Sequence, residues 1–311
     1  MRIAKRSLSG GRGLCTLICA WIVANCLLPG PSAAGLRVTD DSGRPVVLAA
    51  PARRIISLAP HVTELLFAAG AGDAVVGVSE YSDYPEAARR LPRIGGGGGL
   101  DLERILALQP DLVVAWQSGN PAFQVQRLRE LGLAVFVSEP QDLAAIAHTI
   151  ARLARLAGTW TAARPVIEAY NRHLRGLHAT FADRTPVRVY FQVWDRPLMT
   201  VNGAHLVSDV LRLCGGRNVF AGLPELAPQV DIEAVLQRDP QVIFVAAGPD
   251  EAGRQLTPWR HWRQLAAVRQ GHLYEIRRER LVRHTPRILD GAERLCRLLD
   301  RARADEMQER R

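Results

Sequence analysis

Short apolar runs bounded by Gly, Pro and Asp recur along this chain, separated by stretches with apolar residues every three or four places. Near the start, "LRVTDDSGRPVVLAAPARRIISLAP" alternates apolar and polar residues on either side of Asp41–Gly43. Alternation about a glycine-containing turn predicts a β-hairpin, and a strand over Ile55–Leu58 follows it. "TELLFAAG" changes to a helical period, with Leu65, Leu66 and Ala69 on one face and Gly70 placed to end the helix. "AVVGVS" reads as a short buried strand and Gly95–Gly99 as a mobile loop. A helix near Ala122–Leu131, closed by Gly132, and a strand in "AVFVSEP" complete the first half. Strands alternating with helices predict a mainly parallel sheet covered on both faces, the α/β class.

The second half replays this order. "PVRVYFQV" answers "RRIISLAP", and "SDVLRLCGGRNVFAG" answers "TELLFAAGAGDAVVG", with Gly215 and Gly222 standing where Gly70 and Gly77 stood. "LERILALQPDLVVAW" (Leu102 to Trp116) and "IEAVLQRDPQVIFVA" (Ile232 to Ala246) align without a gap. They share Glu103 with Glu233, Leu106 with Leu236 and Pro110 with Pro240. The repeat is too long for a solenoid, so two similar α/β lobes are expected, over 35–160 and 184–311. Between them, "TAARPVIEAYNRHLRGLHATFADR" places Val166, Ile167, Tyr170, Leu174, Leu177 and Phe181 on one helical stripe. Pro165 is expected in the first turn, where a missing N–H does no harm. A helix over 161–183 makes a rod of roughly 30 Å, whereas a flexible linker would be richer in Gly, Ser or Pro. The lobes should therefore be joined by one rigid helix and open only slightly. "RARADEMQERR" at the end reads as a fraying helix or tail.

Residues 1–34 stand apart from this pattern. Arg2, Lys5, Arg6 and Arg12 precede the apolar run "LCTLICAWIVANCLL", and "PSAAG" offers small residues for cleavage after Ala34. That is the form of a secretory signal, with an uncleaved anchor as the alternative. Lipid attachment at Cys26 is disfavoured, because bulky, polar Asn25 precedes it. Removing the four bases lowers the formal charge from +9 to +5, and every base that remains is arginine. These arginines are scattered rather than clustered with aromatics, which argues against nucleic-acid binding. Cys15, Cys19 and Cys26 leave with the signal. Cys214 and Cys296 then point to a disulfide in an exported chain, two buried thiols being the alternative.

Catalytic signatures are missing. No G-x-S-x-G, Walker or H-E-x-x-H sequence occurs, Gly95–Gly99 lacks the Lys-Ser/Thr of a phosphate loop, and no paired histidines suggest zinc. An enzyme is not expected. What stands out is a set of residues just beyond strand ends, where open parallel sheets bind ligands. They are Pro60 and His61, Tyr81, Trp116, Trp194 and the segment "RRERLVRHT" over 277–285. Tyr and Trp faces suit a large planar ligand.

Taken together, "RIISLAPHVTELLFAAGAGDAVVGVSEYSDYP", "LERILALQPDLVVAW", "LCGGRNVF", "PQVDIEAVL" and "TPRI" with a later "LC" resemble the periplasmic vitamin B12-binding proteins of ABC importers. These belong to the helical-backbone solute-binding proteins that also serve haem and siderophores. The resemblance covers nearly the whole mature chain. It implies a monomeric, non-enzymatic periplasmic protein that carries cobalamin or a related corrinoid to a membrane permease, with no cofactor of its own. A haem or siderophore receptor is the alternative within the class. By position, Tyr81 and Trp116 match residues that pack on the corrin, and Glu279 and Arg283 match an acid and an arginine at the ligand's polar edge. Cys214 and Cys296 match a disulfide pair, and Glu103 and Glu233 match two permease-docking glutamates. Two family tryptophans are missing here, one within Gly95–Gly99 and one near Ala227. Trp194 makes up part of that loss, and His61 stands where the family can carry a small residue.

Overall fold

The computed structural model describes residues 35–96, 99–248, 251 and 253–309. The expected signal segment lies outside the described residues. Among these, no helix is long and apolar enough to cross a membrane.

The predicted hairpin forms from β1 (Leu36–Thr39) and β2 (Pro45–Leu48). Then come β3 (Ile55–Ser57), α1 (Pro60–Ala68), β4 (Val75–Val78), β5 (Gly95–Gly96), β6 (Gly99–Leu100), α2 (Leu102–Ala107), β7 (Leu112–Trp116), α3 (Ala122–Glu130), β8 (Val135–Ser138) and α4 (Leu143–Ala157). The long helix α5 (Trp160–Phe181) leads to β9 (Val187–Gln192), β10 (Trp194–Asp195), β11 (Leu198–Met199), α6 (Leu206–Leu213), β12 (Gly216–Asn218), α7 (Ile232–Arg238) and β13 (Val242–Ala247). The chain closes with α8 (Ala266–Arg269), β14 (Leu273–Arg277), α9 (Arg278–Leu281) and α10 (Ile288–Glu309).

The duplication seen in the sequence is a duplication of topology. One parallel sheet runs β4-β3-β7-β8 and the other β12-β9-β13-β14, so each lobe places its second strand outside its first. Equivalent pairs hold each centre, Ile55 with Leu112 in one and Val242 with Val189 in the other. β13 is buried along its whole length, the continuous apolar run that a doubly covered parallel strand requires. In both repeat units an aspartate caps the helix, Asp101 accepting from the Arg104 N–H at 2.9 Å and Asp231 from the Ala234 N–H at 2.7 Å.

The largest apolar core runs through both lobes by way of α4, α5, α6 and α10, and each lobe adds a smaller cluster on the other face of its sheet. The predicted stripe of α5 supplies Tyr170, Leu174, Leu177 and Phe181 to it, and the Tyr170 hydroxyl donates to the Leu143 carbonyl at 2.7 Å. Each such side chain contributes about 1.5–3 kcal/mol by leaving water, so the connection is packed as well as helical. Cys214 at the end of α6 is disulfide-bonded to Cys296 of α10, both fully buried.

Three local expectations are corrected. The first helix begins at Pro60, because extended Ala59 supplies its N-cap and a proline fits the first position. Pro60 and His61 thus open the helix just beyond the strand end. The connecting helix starts at Trp160, directly after left-handed Gly158 ends α4, so Pro165 lies inside it. Gly95–Gly96 and Gly99–Leu100 pair as a small antiparallel hairpin instead of a free loop. The C-terminal stretch, expected as a fraying helix or tail, is helical through Glu309.

Candidate functional site

The carboxyl ends of both sheets meet at a crevice whose walls come from different lobes. In the N-lobe, the start of α1 places His61 and Glu64 one turn apart, and both are buried. Trp116 closes β7, and its indole meets the His61 ring edge-on at 5.0 Å. The following turn folds back over that indole. A Cβ on Gly119 would lie 1.8 Å from the ring, so only glycine fits there. Asn120 fixes the turn, its side-chain oxygen accepting from the Trp116 N–H at 2.7 Å and its amide donating to the Leu58 carbonyl at 3.1 Å.

From the C-lobe, His205 and His284 close on the same point. His284 lies 5.5 Å from His61 and 5.8 Å from His205, ring to ring. Burial pushes His61 down to about 3, with the Arg283 charge acting the same way, and burial alone pushes His205 down to about 4. His284 falls well below its ordinary value, through burial and then the two neighbouring imidazoles. All three are neutral at pH 7. Among the described residues, no group of three or more His, Cys, Asp or Glu is placed to hold a metal ion.

Beside the histidines a polar clamp spans the lobes. The Arg283 guanidinium donates to Glu64 at 3.1 Å, to Asp83 at 2.7 Å and to the Tyr81 carbonyl at 3.2 Å. Arg287 donates through Nε to the other oxygen of Glu64 at 2.8 Å and lies 3.9 Å over the Tyr84 ring. Burial works to raise Asp83, but the hydrogen bond and charge of Arg283 outweigh it and hold the carboxyl below its usual range. A cavity of about 240 Å³ lies between the lobes, bordered by Ser118, Glu139, His205, Leu226 and His284. Burial raises Glu139, and its hydrogen bonds from Ser118 offset part of this. A larger cavity of about 410 Å³ belongs to the C-lobe alone, between the β10–β11 hairpin, Val230 and Trp262. We place the candidate site at the crevice, because the smaller cavity is bordered by side chains from both lobes at the carboxyl ends of the strands.

The structure gathers Pro60, His61, Tyr81, Trp116 and Arg283 around that crevice. Tyr81 sits in the left-handed region at φ 62°, and the residue is 81% exposed. Trp116 is half-buried under the Gly119 turn. Trp194 projects from the β10–β11 hairpin at the end of β9, with the Arg278 guanidinium 4.9 Å above its ring. Glu279 opens α9, 3.8 Å from Arg277. Glu103 and Glu233 are exposed in the first turns of α2 and α7, at matching places in the two lobes. Sequence reasoning missed Glu64, Asp83, Arg287 and His205, and it included His284 only as part of the 277–285 segment. One signal was available for Glu64, a glutamate set inside the apolar helix pattern of "TELLFAAG".

The signature of the periplasmic binding protein family matches residues 55–279. The chain belongs to that family. Its members are solute-binding proteins, non-enzymatic components of transport. The vitamin B12-binding protein of Vibrio cholerae serotype O1 is 39% identical over 247 residues, 79% of this chain and 88% of that one. The crystal structure of the periplasmic vitamin B12 binding protein BtuF of Vibrio cholerae superposes with a TM-score of 0.76 at 38% identity, covering 81% of this chain and 98% of that one. The periplasmic heme-binding protein RhuT from Roseiflexus sp. RS-1 matches with a TM-score of 0.69 at 25% identity, covering 80% and 98%.

Proposed function

We propose that this chain captures cobalamin or a related corrinoid in the periplasm and delivers it to the permease of an ABC importer. The observation that carries this reading is the 39% identity to a vitamin B12-binding protein over most of both chains. The likeness to the heme-binding structure is weaker, at 25%. In this reading residues 1–34 are the export signal, and the lobes 35–160 and 184–311 hold the ligand between them, joined by the helix at 161–183. The exposed Tyr81 ring lies on a face of the macrocycle. Pro60, His61, Trp116 and Trp194 border it, and Glu279 and Arg283 meet its amide-bearing edge. Glu103 and Glu233, presented alike by the two lobes, dock on the permease, and the protein acts as a monomer.

A haem ligand is the second reading. His61 Nε2 and His284 Nδ1 are buried with no hydrogen-bond partner among the described residues, and a neutral imidazole nitrogen is a ligand for haem iron. Isothermal titration of the mature protein with cyanocobalamin tests the first reading. Stoichiometric, saturable binding is expected. No heat and no retained cobalamin at a large ligand excess would remove it.

A further inference from the structure

The segment "RRERLVRHTPR", Arg277–Arg287, follows the last strand of the C-lobe and carries five arginines in eleven residues. Such a segment beside a ligand crevice would ordinarily attract anions. Each of the five, however, already has a carboxylate. Arg277 lies 3.8 Å from Glu279, Arg278 2.7 Å from Glu251 and Arg280 2.6 Å from Asp290. Arg283 lies 2.7 Å from Asp83, and Arg287 2.5 Å from Glu64. The last two arginines are those that reach the crevice, and both of their acids come from the opposite lobe.

Glu64 is the telling member. Its side chain is only 2% exposed, and it accepts from Arg283 and Arg287 together. A buried carboxylate is costly unless paired, and losing one partner leaves the other stranded. An anionic ligand that pulled Arg283 or Arg287 toward itself would weaken that pairing while approaching two carboxylates of its own sign. A neutral ligand meets no such cost. A guanidinium has five N–H donors, more than the acceptors counted here consume, and those left over suit amide carbonyls.

We infer that Glu64 and Asp83 determine specificity in the crevice by cancelling the charge of Arg283 and Arg287, so that ligands bearing carboxylates or catecholates are disfavoured against neutral, amide-edged ones. This rests on the reading of the crevice as a corrinoid site, and it adds the rule by which that site rejects anionic macrocycles and siderophores. The acid–arginine pairs measure 2.5–3.1 Å, so a ligand anion seated against either arginine comes within a few side-chain radii of an acid, where a unit charge at an intermediate effective dielectric changes affinity by about tenfold.

The test titrates haemin, whose propionates are anionic, and cyanocobalamin, which is net neutral with an amide-bearing corrin edge and one phosphodiester on its nucleotide loop, into the mature protein and into Glu64→Gln and Asp83→Asn, with phosphate-free dicyanocobinamide as the control for that loop. The ratio of haemin to cyanocobalamin association constants should rise by about tenfold or more in each variant at low ionic strength. That gain should shrink at high salt, as expected for charges partly open to solvent. The Asp83 side chain is 56% exposed, so its variant folds even if the buried Glu64 position does not tolerate amidation. A ratio that stays level or falls in folded Asp83→Asn overturns the inference. If the unaltered chain binds no cyanocobalamin, the corrinoid reading fails by itself, and haemin affinity alone then reads the charge effect.

Discussion

Acidification from about pH 7.5 to about pH 5 should weaken the fold at the lobe junction, with the histidine cluster setting the size of the effect. Folding moves His61 from an ordinary value of 6.5 down to about 3 and His205 down to about 4. Between those values and 6.5 the unfolded chain binds protons that the folded chain refuses. Stability is therefore fully present above about pH 6.5 and is lost as pH falls toward the folded values. At pH 5 the loss is about 2 kcal/mol for each of the two residues. His284 is shifted the same way and adds to it. The groups facing the cluster do not reverse the sign. Arg283 opposes a second positive charge, and Glu64 is committed to its two arginines. Asp83 is held below its ordinary value of 3.8, so its contribution fades only under more acid conditions. Glu139 is raised and offsets part of the loss as it takes up a proton. With a urea slope of about 2–3 kcal/mol per M, a loss of about 4 kcal/mol moves the unfolding midpoint down by roughly 1.3–2 M. Tryptophan fluorescence during urea titration at the two pH values measures this, and His61→Gln should lose distinctly less of its midpoint on acidification. Equal midpoints for the unaltered protein at both pH values, or an unchanged pH dependence in His61→Gln, would refute the reasoning.

Three further outcomes are expected. Replacing Cys214 and Cys296 by alanine opens a loop of 82 residues and should cost about 2–4 kcal/mol; a denaturation midpoint matching that of the oxidised protein would contradict it. Tyr81→Ala should weaken corrinoid binding by about 1–3 kcal/mol, the scale of losing an aromatic anchor, and calorimetry showing unaltered affinity in both Tyr81→Ala and Trp116→Ala would remove these residues from the site. The paired change Glu103→Ala with Glu233→Ala should leave ligand affinity intact and abolish stimulation of an importer's ATPase; normal stimulation would sink the docking role.

The lobes were legible because their strands are continuous apolar runs and because one unit is written twice, down to the equal strand order of the two sheets. The match extends one residue beyond the aligned stretches, to Asp101 and Asp231, whose capping role was overlooked even though aspartate before a helical run is a known start signal. The connecting helix begins within one residue of its expected start, but Pro165 lies past its first turn, a place where proline is tolerated when packing repays one lost hydrogen bond. Tyr81 and Trp116 were found at strand ends by topology alone. The clamp was not, since Glu64 and Arg287 lie 223 positions apart and a single sequence carries no record of which charges meet across lobes. The histidine cluster was hidden for the same reason. His61, His205 and His284 come from separate elements, and nothing in their spacing suggests a shared buried point.

Equilibrium dialysis of the mature protein against an equimolar mixture of cyanocobalamin, dicyanocobinamide and haemin tests the central claim most directly. The account predicts that the protein retains corrinoid absorbance in stoichiometric amount, with little haem band. Retention of haemin in preference to both corrinoids would contradict it.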